Sequence, residues 1–108
     1  MRIVVKKVNE FPEIKEIKGT LENLKEIVGG YIECIDVFDG VICVCNEEGK
    51  LLNLPPNFLF MGDYIAGDVF FCAGAEEEFV SLSDNQTQDI MTVMTAVEKA
   101  RRLVNECE

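Results

Sequence analysis

The order of apolar and polar positions along the chain predicts a β-hairpin near its centre. Residues 31–38 and 41–45 are two runs of β-branched, aromatic and small apolar side chains, separated only by Asp39-Gly40. Asp-Gly between two such runs predicts a two-residue type I′ turn, because both residues tolerate the positive φ that this turn requires. Residues 41–45 contain no polar position, so we expect this strand to be central in its sheet and covered on both faces.

The predicted turn also sets the register of the hairpin. A two-residue loop pairs Phe38 with Val41 and, further along, Cys34 with Cys45. Because residues i and i+2 of a strand share a face, this register places three thiols on one face of the sheet, those of Cys34, Cys43 and Cys45.

Shorter patterns predict the rest of the sheet. Strands are expected at residues 2–8 and 13–17, at 50–54 after an Asx turn that begins at Asn46, and at 64–66 and 68–73 around Gly67. Pro55-Pro56 is expected to end the three-stranded meander formed by the hairpin and residues 50–54. Asn57 is expected to cap one helical turn at residues 58–61, whose four apolar residues form either core or an exposed patch. Residues 74–78 are expected to form a charged loop.

Two segments have helical periodicity. Thr20 is a good N-cap for a short helix that Gly29 ends, and Ser83 with Gln86 fits a capping box at the start of a long C-terminal helix. That helix carries one apolar stripe, which Met91 and Met94 widen and which is formed by Ile90, Val93, Val97, Ala100, Val104 and Cys107. The stripe packs either on the domain's own sheet or against a second copy, so the chain is expected to be a monomer or a homodimer through this helix.

Together these elements predict one α+β domain over residues 1–108. We expect a largely antiparallel β-sheet of about five or six strands, a short helix at residues 20–29 and a long C-terminal helix at residues 84–106. The order strand, strand, helix, strand, strand at the start of the chain permits a β-grasp-like arrangement.

Charge and composition narrow the classes of partner. The formal charge is −10, histidine is absent, and residues 51–89 carry seven acidic residues without one lysine or arginine. Direct nucleic-acid binding is therefore not expected, since it requires a basic surface. No membrane contact is expected either, because no apolar run reaches transmembrane length. The start of the chain does not resemble a signal peptide, and five cysteines without paired spacing fit reduced thiols, so we expect a cytoplasmic protein.

The residues offer little catalytic chemistry. No histidine is available as a base for a serine or cysteine nucleophile, the paired carboxylates fall in predicted turns, and no phosphate-binding motif is present. The thiols of Cys34, Cys43 and Cys45 lack a C-x-x-C spacing and are expected to be core side chains, not metal ligands. We therefore expect no enzymatic activity, no cofactor and no metal.

The run from Cys45 to Asn57 reads CNEEGKLLNLPPN, and further patterned segments lie at residues 12–14, 29–33, 63–71 and 79–84. These segments resemble an uncharacterised bacterial and phage family, domain of unknown function 3846, and the run from Cys45 to Asn57 is the most specific part. The resemblance spans about residues 2 to 86, and the final helix is longer than it leads us to expect. It implies no established activity. It does imply an accessory protein associated with phages and mobile elements.

The function hypotheses follow from these observations. The first is a small interaction domain with an unknown protein partner, whose contact surface is formed by Asn46, Glu47, Glu48, Pro55, Pro56, Asn57 and Tyr64. An alternative interpretation of the same segment is turn geometry alone. A second hypothesis is an acidic DNA mimic, of an anti-defence type, that binds a basic host protein through the carboxylates of residues 63–89. A third is a small-ligand pocket between the Pro55-Pro56-Asn57 turn and the last helix.

Overall fold

A computed structural model describes residues 1–75 and 78–107 of the chain. In chain order its elements are β1 (Arg2–Lys6), β2 (Glu13–Glu16), α1 (Leu21–Val28), β3 (Ile32–Phe38), β4 (Val41–Asn46), β5 (Pro56–Phe60), β6 (Asp63–Ala66), β7 (Val69–Ala75), β8 (Glu78–Val80) and α2 (Asp84–Cys107). The predicted α+β class, with a short helix and a long C-terminal helix, is confirmed.

The main sheet has six strands in the order β2-β1-β7-β4-β3, with β8 paired to β7. All these neighbours are antiparallel. The strand order of a β-grasp is present along the chain as far as β4, but β7 separates the two hairpins within the sheet. Strands β5 and β6 form a separate two-stranded sheet. As predicted, β4 is a central strand, and five of its six residues are buried.

Both faces of the main sheet are covered. Helix α1 packs Leu24 and Val28 against one face, beside Val44 and Phe70. The other face is covered by α2 and by the β5–β6 hairpin, whose Phe58 ring stacks on a phenylalanine of β7 with 6.1 Å between centroids. Burial of these apolar faces is the main favourable contribution to folding, and it fixes where the hairpin and the helix lie.

The β3–β4 hairpin forms where predicted, but its register is different. Gly40 has a positive φ of 73° whereas Asp39 does not, so the turn is not type I′. The additional residue is absorbed as a β-bulge at Val37, and the register shifts between Asp36 and Phe38. Beyond the bulge every side chain of β3 points to the face opposite to the predicted one.

The shifted register corrects the predicted thiol face. Cys34 lies opposite Val44 instead of Cys45, so it is on the α1 side of the sheet. Cys43 and Cys45 lie on the other side, in the core beneath α2 and the β5–β6 hairpin. The prediction of three thiols on one face is therefore wrong.

The strand predicted at residues 50–54 is also wrong. The chain coils through turns there, and the amides of Leu52 and Leu54 donate to the carbonyls of Glu48 and Gly49, both at 2.9 Å. The side chain of Asn46 starts the coil by accepting from the Glu48 amide at 2.8 Å. These local bonds satisfy the backbone groups that a strand would have offered to a neighbour, so β7 instead of this segment pairs with β4.

Residues 58–61 belong to strand β5 and its turn instead of a helical turn capped by Asn57. Pro56 begins the strand, a position where its missing N–H is tolerated. Met61 and Gly62 have positive φ values of 53° and 83° and form the tight turn to β6. The apolar cluster divides accordingly: Phe58 is buried, whereas Leu59 and Met61 are 78% and 88% exposed.

The predicted helix starts are confirmed. The Thr20 hydroxyl accepts from the Asn23 amide, and Gly29 ends α1 in the left-handed region with a φ of 80°. At the start of α2 the Gln86 amide donates to the Ser83 hydroxyl at 3.1 Å, and the Gln86 side chain accepts from the Ser83 amide at 2.9 Å. This is the predicted capping box.

The buried face of α2 differs from the predicted apolar stripe. Ile90 and Met94 are buried and Val97 packs against the same core, as predicted, but Val93 and Ala100 are exposed and Val104 is 60% exposed. The helix is rotated because polar Thr87 and Glu98 take buried positions beside the sheet. Helix α2 packs on the domain's own sheet, where it contacts β1 and β2. The Cys107 side chain lies outside the described part of the structure.

The loop predicted at residues 74–78 is largely strand. Strand β7 extends to Ala75 and β8 begins at Glu78. Glu76 and Glu77, which belong to both this predicted loop and the acidic stretch, lie outside the described residues.

Candidate functional site

A groove of about 530 Å³ lies between the coil that follows β4, the β5–β6 hairpin and one edge of the main sheet. We call it the β3 groove because β3 forms its outer wall. Its apolar side chains are those of Ile35, Leu51, Phe60, Tyr64 and Ile65, and its charged side chains are those of Glu33, Glu47, Glu48, Lys50 and Asp63. The volume falls within the range of ligand-binding sites in proteins.

Asn46 holds the coil that forms one wall of the groove. Its side chain is buried, donates to the Val28 carbonyl at 3.1 Å and accepts from the Glu48 amide at 2.8 Å. Gly49 allows the coil to approach β6, since a Cβ there would stand 3.2 Å from the Ala66 carbonyl oxygen. The coil is therefore fixed to the end of α1 and to β6, and Leu51 projects from it with 80% of its surface exposed.

The single lysine of the groove lining, Lys50, lies on the same coil and reaches the opposite wall. The Lys50 ammonium forms an ion pair with Asp63 and lies 4.8 Å from the centre of the Tyr64 ring. The hydrogen bond from Lys50, with a further one from the Tyr64 amide, lowers the pKa of the Asp63 carboxyl from its ordinary value. Asp63 therefore already neutralises Lys50.

The groove has an excess of negative charge. Its lining contains four carboxylates, of Glu33, Glu47, Glu48 and Asp63, against the ammonium of Lys50. Three carboxylates remain once the Lys50–Asp63 pair is set aside. Together with the exposed Leu51, they suit a ligand that combines positive charge with apolar groups.

The structure brings together four of the seven residues predicted as a contact surface. Asn46, Glu47, Glu48 and Tyr64 line the groove. Pro55 and Pro56 are exposed outside it, and Asn57 is buried. The predicted contact surface does not include Glu33, Ile35, Leu51 or Phe60, because only the folded sheet and hairpin bring these distant residues together.

Asn57 belongs to a buried polar cluster instead of a surface. Its amide nitrogen donates to the Lys6 and Gly67 carbonyls at 2.7 and 2.9 Å, and its oxygen accepts from the Lys6 ammonium at 3.1 Å. The same ammonium donates to the Lys7 carbonyl at 2.8 Å and to Glu98 at 3.3 Å. The cluster joins β1, β5 and α2 in the interior.

Two arginines complete this cluster from α2. Arg101 and Arg102 donate to the Glu98 carboxylate at 2.6 and 2.8 Å. Hydrogen bonds from Arg101 first, and then from Arg102 and Lys6, lower the pKa of Glu98 to about 2 although burial acts in the opposite direction. Burial lowers the pKa of Lys6, opposed by its bond to Glu98.

Since every buried side-chain nitrogen and oxygen of the described residues has a partner, this buried cluster is a closed structural network. The small-ligand pocket predicted between the Pro55-Pro56-Asn57 turn and the last helix is thus occupied by the side chains of Lys6, Asn57 and Glu98. A small apolar cleft of about 150 Å³ remains between β5 and α2. Ligand pockets usually exceed about 300 Å³.

The acidic side chains of residues 63–89 are partly used within the fold. Asp63 pairs with Lys50, Asp84 bonds Arg2 at 2.6 Å, and Asp68 accepts from the Val8 amide at 2.9 Å. Glu78 and Asp89 are exposed. An array of carboxylates that imitates DNA phosphates requires these groups to be free and on one face of the protein. Asp63, Asp68 and Asp84 are instead bound within the fold.

The thiols of Cys43, Cys45 and Cys72 are packed in the core, whereas Cys34 is exposed, so its prediction as a core side chain is wrong. Burial raises the pKa of Cys45 to about 11 and that of Cys72 to about 12, and it raises the pKa of Cys43 further. Thiolates are therefore scarce at these positions near neutral pH.

Within residues 1–75 and 78–107 no group of three histidine, cysteine, aspartate or glutamate side chains is placed to hold a metal ion. No helix in this described part of the chain is long and apolar enough to cross a membrane.

Comparison with known protein families identifies the family of this chain. The family model described as Domain of unknown function (DUF3846) matches residues 1–95. No curated protein and no solved structure matches the chain. The matched region contains every residue of the β3 groove, whereas Glu98, Arg101 and Arg102 follow it. Since the match covers most of the chain, the protein belongs to the DUF3846 family.

Proposed function

We propose that this protein is a small, non-catalytic accessory domain that binds a protein partner through the β3 groove. The observation that carries the proposal is the exposure of Leu51 on a coil that is otherwise tightly held. An apolar side chain presented on a fixed frame loses little conformational entropy on binding, which favours a contact surface.

The surroundings of Leu51 support this role. Phe60 and Tyr64 provide apolar surface on the facing wall, and the Lys50–Asp63 pair borders it. An apolar centre with a polar rim is the usual anatomy of a protein interface. The association with phages or mobile elements and a cytoplasmic location are part of the proposal.

Two alternatives have separate support. A small ligand is supported by the volume of the groove, about 530 Å³, and by its mixture of apolar and charged groups. An acidic DNA mimic is supported by the net charge of −10 and the exposed Asp89 on α2, but the pairing of Asp63 and Asp84 counts against it.

Site-specific photo-crosslinking in the source cell tests the proposal. A photoreactive residue is placed at Leu51 in the groove, at Asp89 in the acidic stretch, or at Ile14 on the exposed β2 edge as a control. We expect a discrete crosslinked protein from position 51 that is absent from position 14.

The outcomes separate the three functions. A nucleic-acid-binding protein captured from position 89 alone would replace the proposal with the acidic mimic, provided that its crosslinking in lysate falls when the salt concentration is raised before irradiation. Failure at all three positions, together with thermal stabilisation of the purified protein by a small-molecule library, would favour the small ligand. The Tyr64→Ala variant is expected to weaken crosslinking from position 51 without unfolding the domain.

A further inference from the structure

The outer wall of the β3 groove is the edge of the main sheet. Strand β3 is the last in the order β2-β1-β7-β4-β3, so it pairs on one side only, with β4. An edge strand directs every second N–H and C=O away from the sheet. Among the described residues, the backbone hydrogen bonds outside regular elements include none that β3 makes. Its outer backbone groups are therefore free to pair.

We infer that the partner segment binds as an additional β-strand on β3, with basic and apolar side chains alternating along it. This inference rests on the proposed function of the β3 groove and names its ligand class. Strand addition supplies affinity through the backbone and specificity through alternate side chains, which suits an edge that borders a groove.

The register of β3 defines which side chains meet the added strand. Glu33 and Ile35 lie opposite Cys45 and Cys43 and face the groove, whereas Cys34 and Asp36 lie on the α1 side. The bulge at Val37 ends the regular edge, which leaves residues 32–36 for pairing. An added strand therefore directs one set of alternate side chains over the groove, beside Glu33 and Ile35, and the other set over the α1 side of the sheet.

The charges around the β3 groove indicate which kind of strand would bind there. Glu33 lies on the groove side of β3, Glu47 and Glu48 border the groove, and the Lys50 of its lining is paired with Asp63. Lysine or arginine at the positions of the added strand that face the groove would meet these carboxylates, and their aliphatic stems would lie along Ile35 and Leu51. The apolar residues of the added strand would then lie on the α1 side. A second copy of this chain is a poor occupant, since its own β3 would bring further carboxylates into the same edge and each copy carries a net charge of −10.

Peptide titration tests the inference with three fluorescein-labelled octapeptides. The first alternates lysine with valine, the second replaces lysine by glutamate, and the third is the lysine peptide with N-methyl groups on alternate backbone amides. We expect the first peptide to bind at least about tenfold more tightly than either of the others, because the others lack the charge or the hydrogen-bond donors. Binding is measured by fluorescence anisotropy at low and high salt.

Amide hydrogen exchange by NMR locates the peptide on the protein. We expect the amides of residues 32–36 that point away from β4, every second one, to become protected and those of Leu51 and Tyr64 to shift. The Glu33→Lys variant is expected to weaken binding of the lysine peptide by about tenfold. Glu13→Lys makes the same charge change on the opposite edge strand, β2, and is expected to leave binding unchanged.

Two outcomes would overturn the inference, and they differ in whether the groove is retained as a binding site. Equal binding of the lysine peptide and its N-methyl form, with shifts at Leu51 and Tyr64 only, would overturn strand addition but keep the groove as a binding site. Absence of binding, or protection confined to β2, would overturn strand addition on β3. Only the crosslinking result at position 51 decides the proposed function itself.

Discussion

Lys6 and Glu98 form an ion pair in the interior of the domain. The Lys6 ammonium lies 3.3 Å from the Glu98 carboxylate, and the two side chains are 0% and 1% exposed. The pair connects the first strand to the last helix across 92 positions of sequence. Arg102 extends this connection, because its guanidinium lies 4.2 Å from the centre of the Phe11 ring beside the β1–β2 turn. The C-terminal half of α2 is thus held to β1 mainly by polar contacts.

Removal of one charge from this pair is expected to be strongly destabilising. Glu98→Leu leaves the Lys6 ammonium buried without its carboxylate, which costs about 3–5 kcal/mol for pairs of this kind. Lys6→Met is expected to cost less, because Arg101 and Arg102 still neutralise Glu98. The free energy of unfolding is measured by urea denaturation, with the m-value compared between variants.

The double variant Lys6→Met/Glu98→Leu provides the control. We expect it to be more stable than Glu98→Leu alone, because neither charge of the pair then remains in the interior. Equal stability of the double variant and Glu98→Leu would contradict this account and show that Glu98 acts through its arginine contacts instead.

The Glu98 carboxyl also predicts an acid-dependent loss of stability. Its pKa is lowered in the folded protein to about 2 from an ordinary value of 4.5, so the unfolded chain binds this proton more readily. The stabilisation from Glu98 is therefore complete above about pH 5.5 and is lost as pH falls through about 4.5 towards 2.

Urea denaturation at a series of pH values measures this effect. The variant Glu98→Gln lacks the titrating group, so its free energy of unfolding should fall less steeply between about pH 5.5 and pH 2 than that of the wild type. Parallel curves for the two proteins would show that other carboxyl groups, such as the ion-paired Asp63, account for the acid dependence.

Local signals in the sequence predicted the elements, whereas long-range contacts decided their details. The caps at Thr20, Gly29 and Ser83 involve neighbouring residues only, and all three were predicted correctly. The predicted β3–β4 register assumed a positive φ at Asp39, but an Asp-Gly pair also forms turns in which the φ of the aspartate is negative, as it is here. A one-residue bulge then moved Cys34 to the other face of the sheet.

The candidate site was predicted only in part for a similar reason. Asn46 carried a local turn signal, and the Asx turn that begins there is present. Leu51 and Ile35 belong to one groove only because β6 and the coil after β4 meet across the sheet. The burial of Glu98 was not predicted either, because it depends on contacts with distant parts of the chain. Its spacing from Arg101 and Arg102 was nevertheless a local sign of an ion-paired carboxylate.

The β3–β4 turn predicts a difference between two substitutions of Gly40. Its φ of 73° lies in the left-handed region, which β-branched side chains avoid. Gly40→Val should lower the free energy of unfolding by roughly 1 kcal/mol or more, whereas Gly40→Asn should cost less, since asparagine tolerates this region. Thermal denaturation compares the two variants, and equal stabilities would show that the turn relaxes to another conformation.

A substitution in the β5–β6 turn is expected to stabilise the protein. Met61 adopts a positive φ of 53° although its side chain is 88% exposed and packs little. Asparagine followed by Gly62 suits this turn, so Met61→Asn should raise the free energy of unfolding by about 0.5–1 kcal/mol. Met61→Val is the matched control and should lower it. If the asparagine variant were the less stable of the two, Met61 would have a packing role that its exposure conceals.

The bulge at Val37 makes Cys34 the accessible thiol among those whose burial the structure describes. Cys34 is exposed on the α1 side, whereas Cys43, Cys45 and Cys72 are buried. We expect a thiol reagent applied to native protein to modify Cys34 rapidly and the three buried thiols only on unfolding. The measurement uses a Cys107→Ser background, which removes the remaining thiol from the count, and mass spectrometry to locate the label.

A Cys34→Ser variant in the same background should show no rapid phase, because the other thiols are also held as protonated groups by their raised pKa values. Rapid labelling of Cys45 in that variant would mean that β3 slips against β4 and that the groove face opens. Since β3 is also the edge to which the partner strand is proposed to pair, such slippage would be expected to decrease when the lysine peptide binds. The labelling rate of Cys45 with and without the peptide therefore reports on the bulge and on strand addition in one experiment.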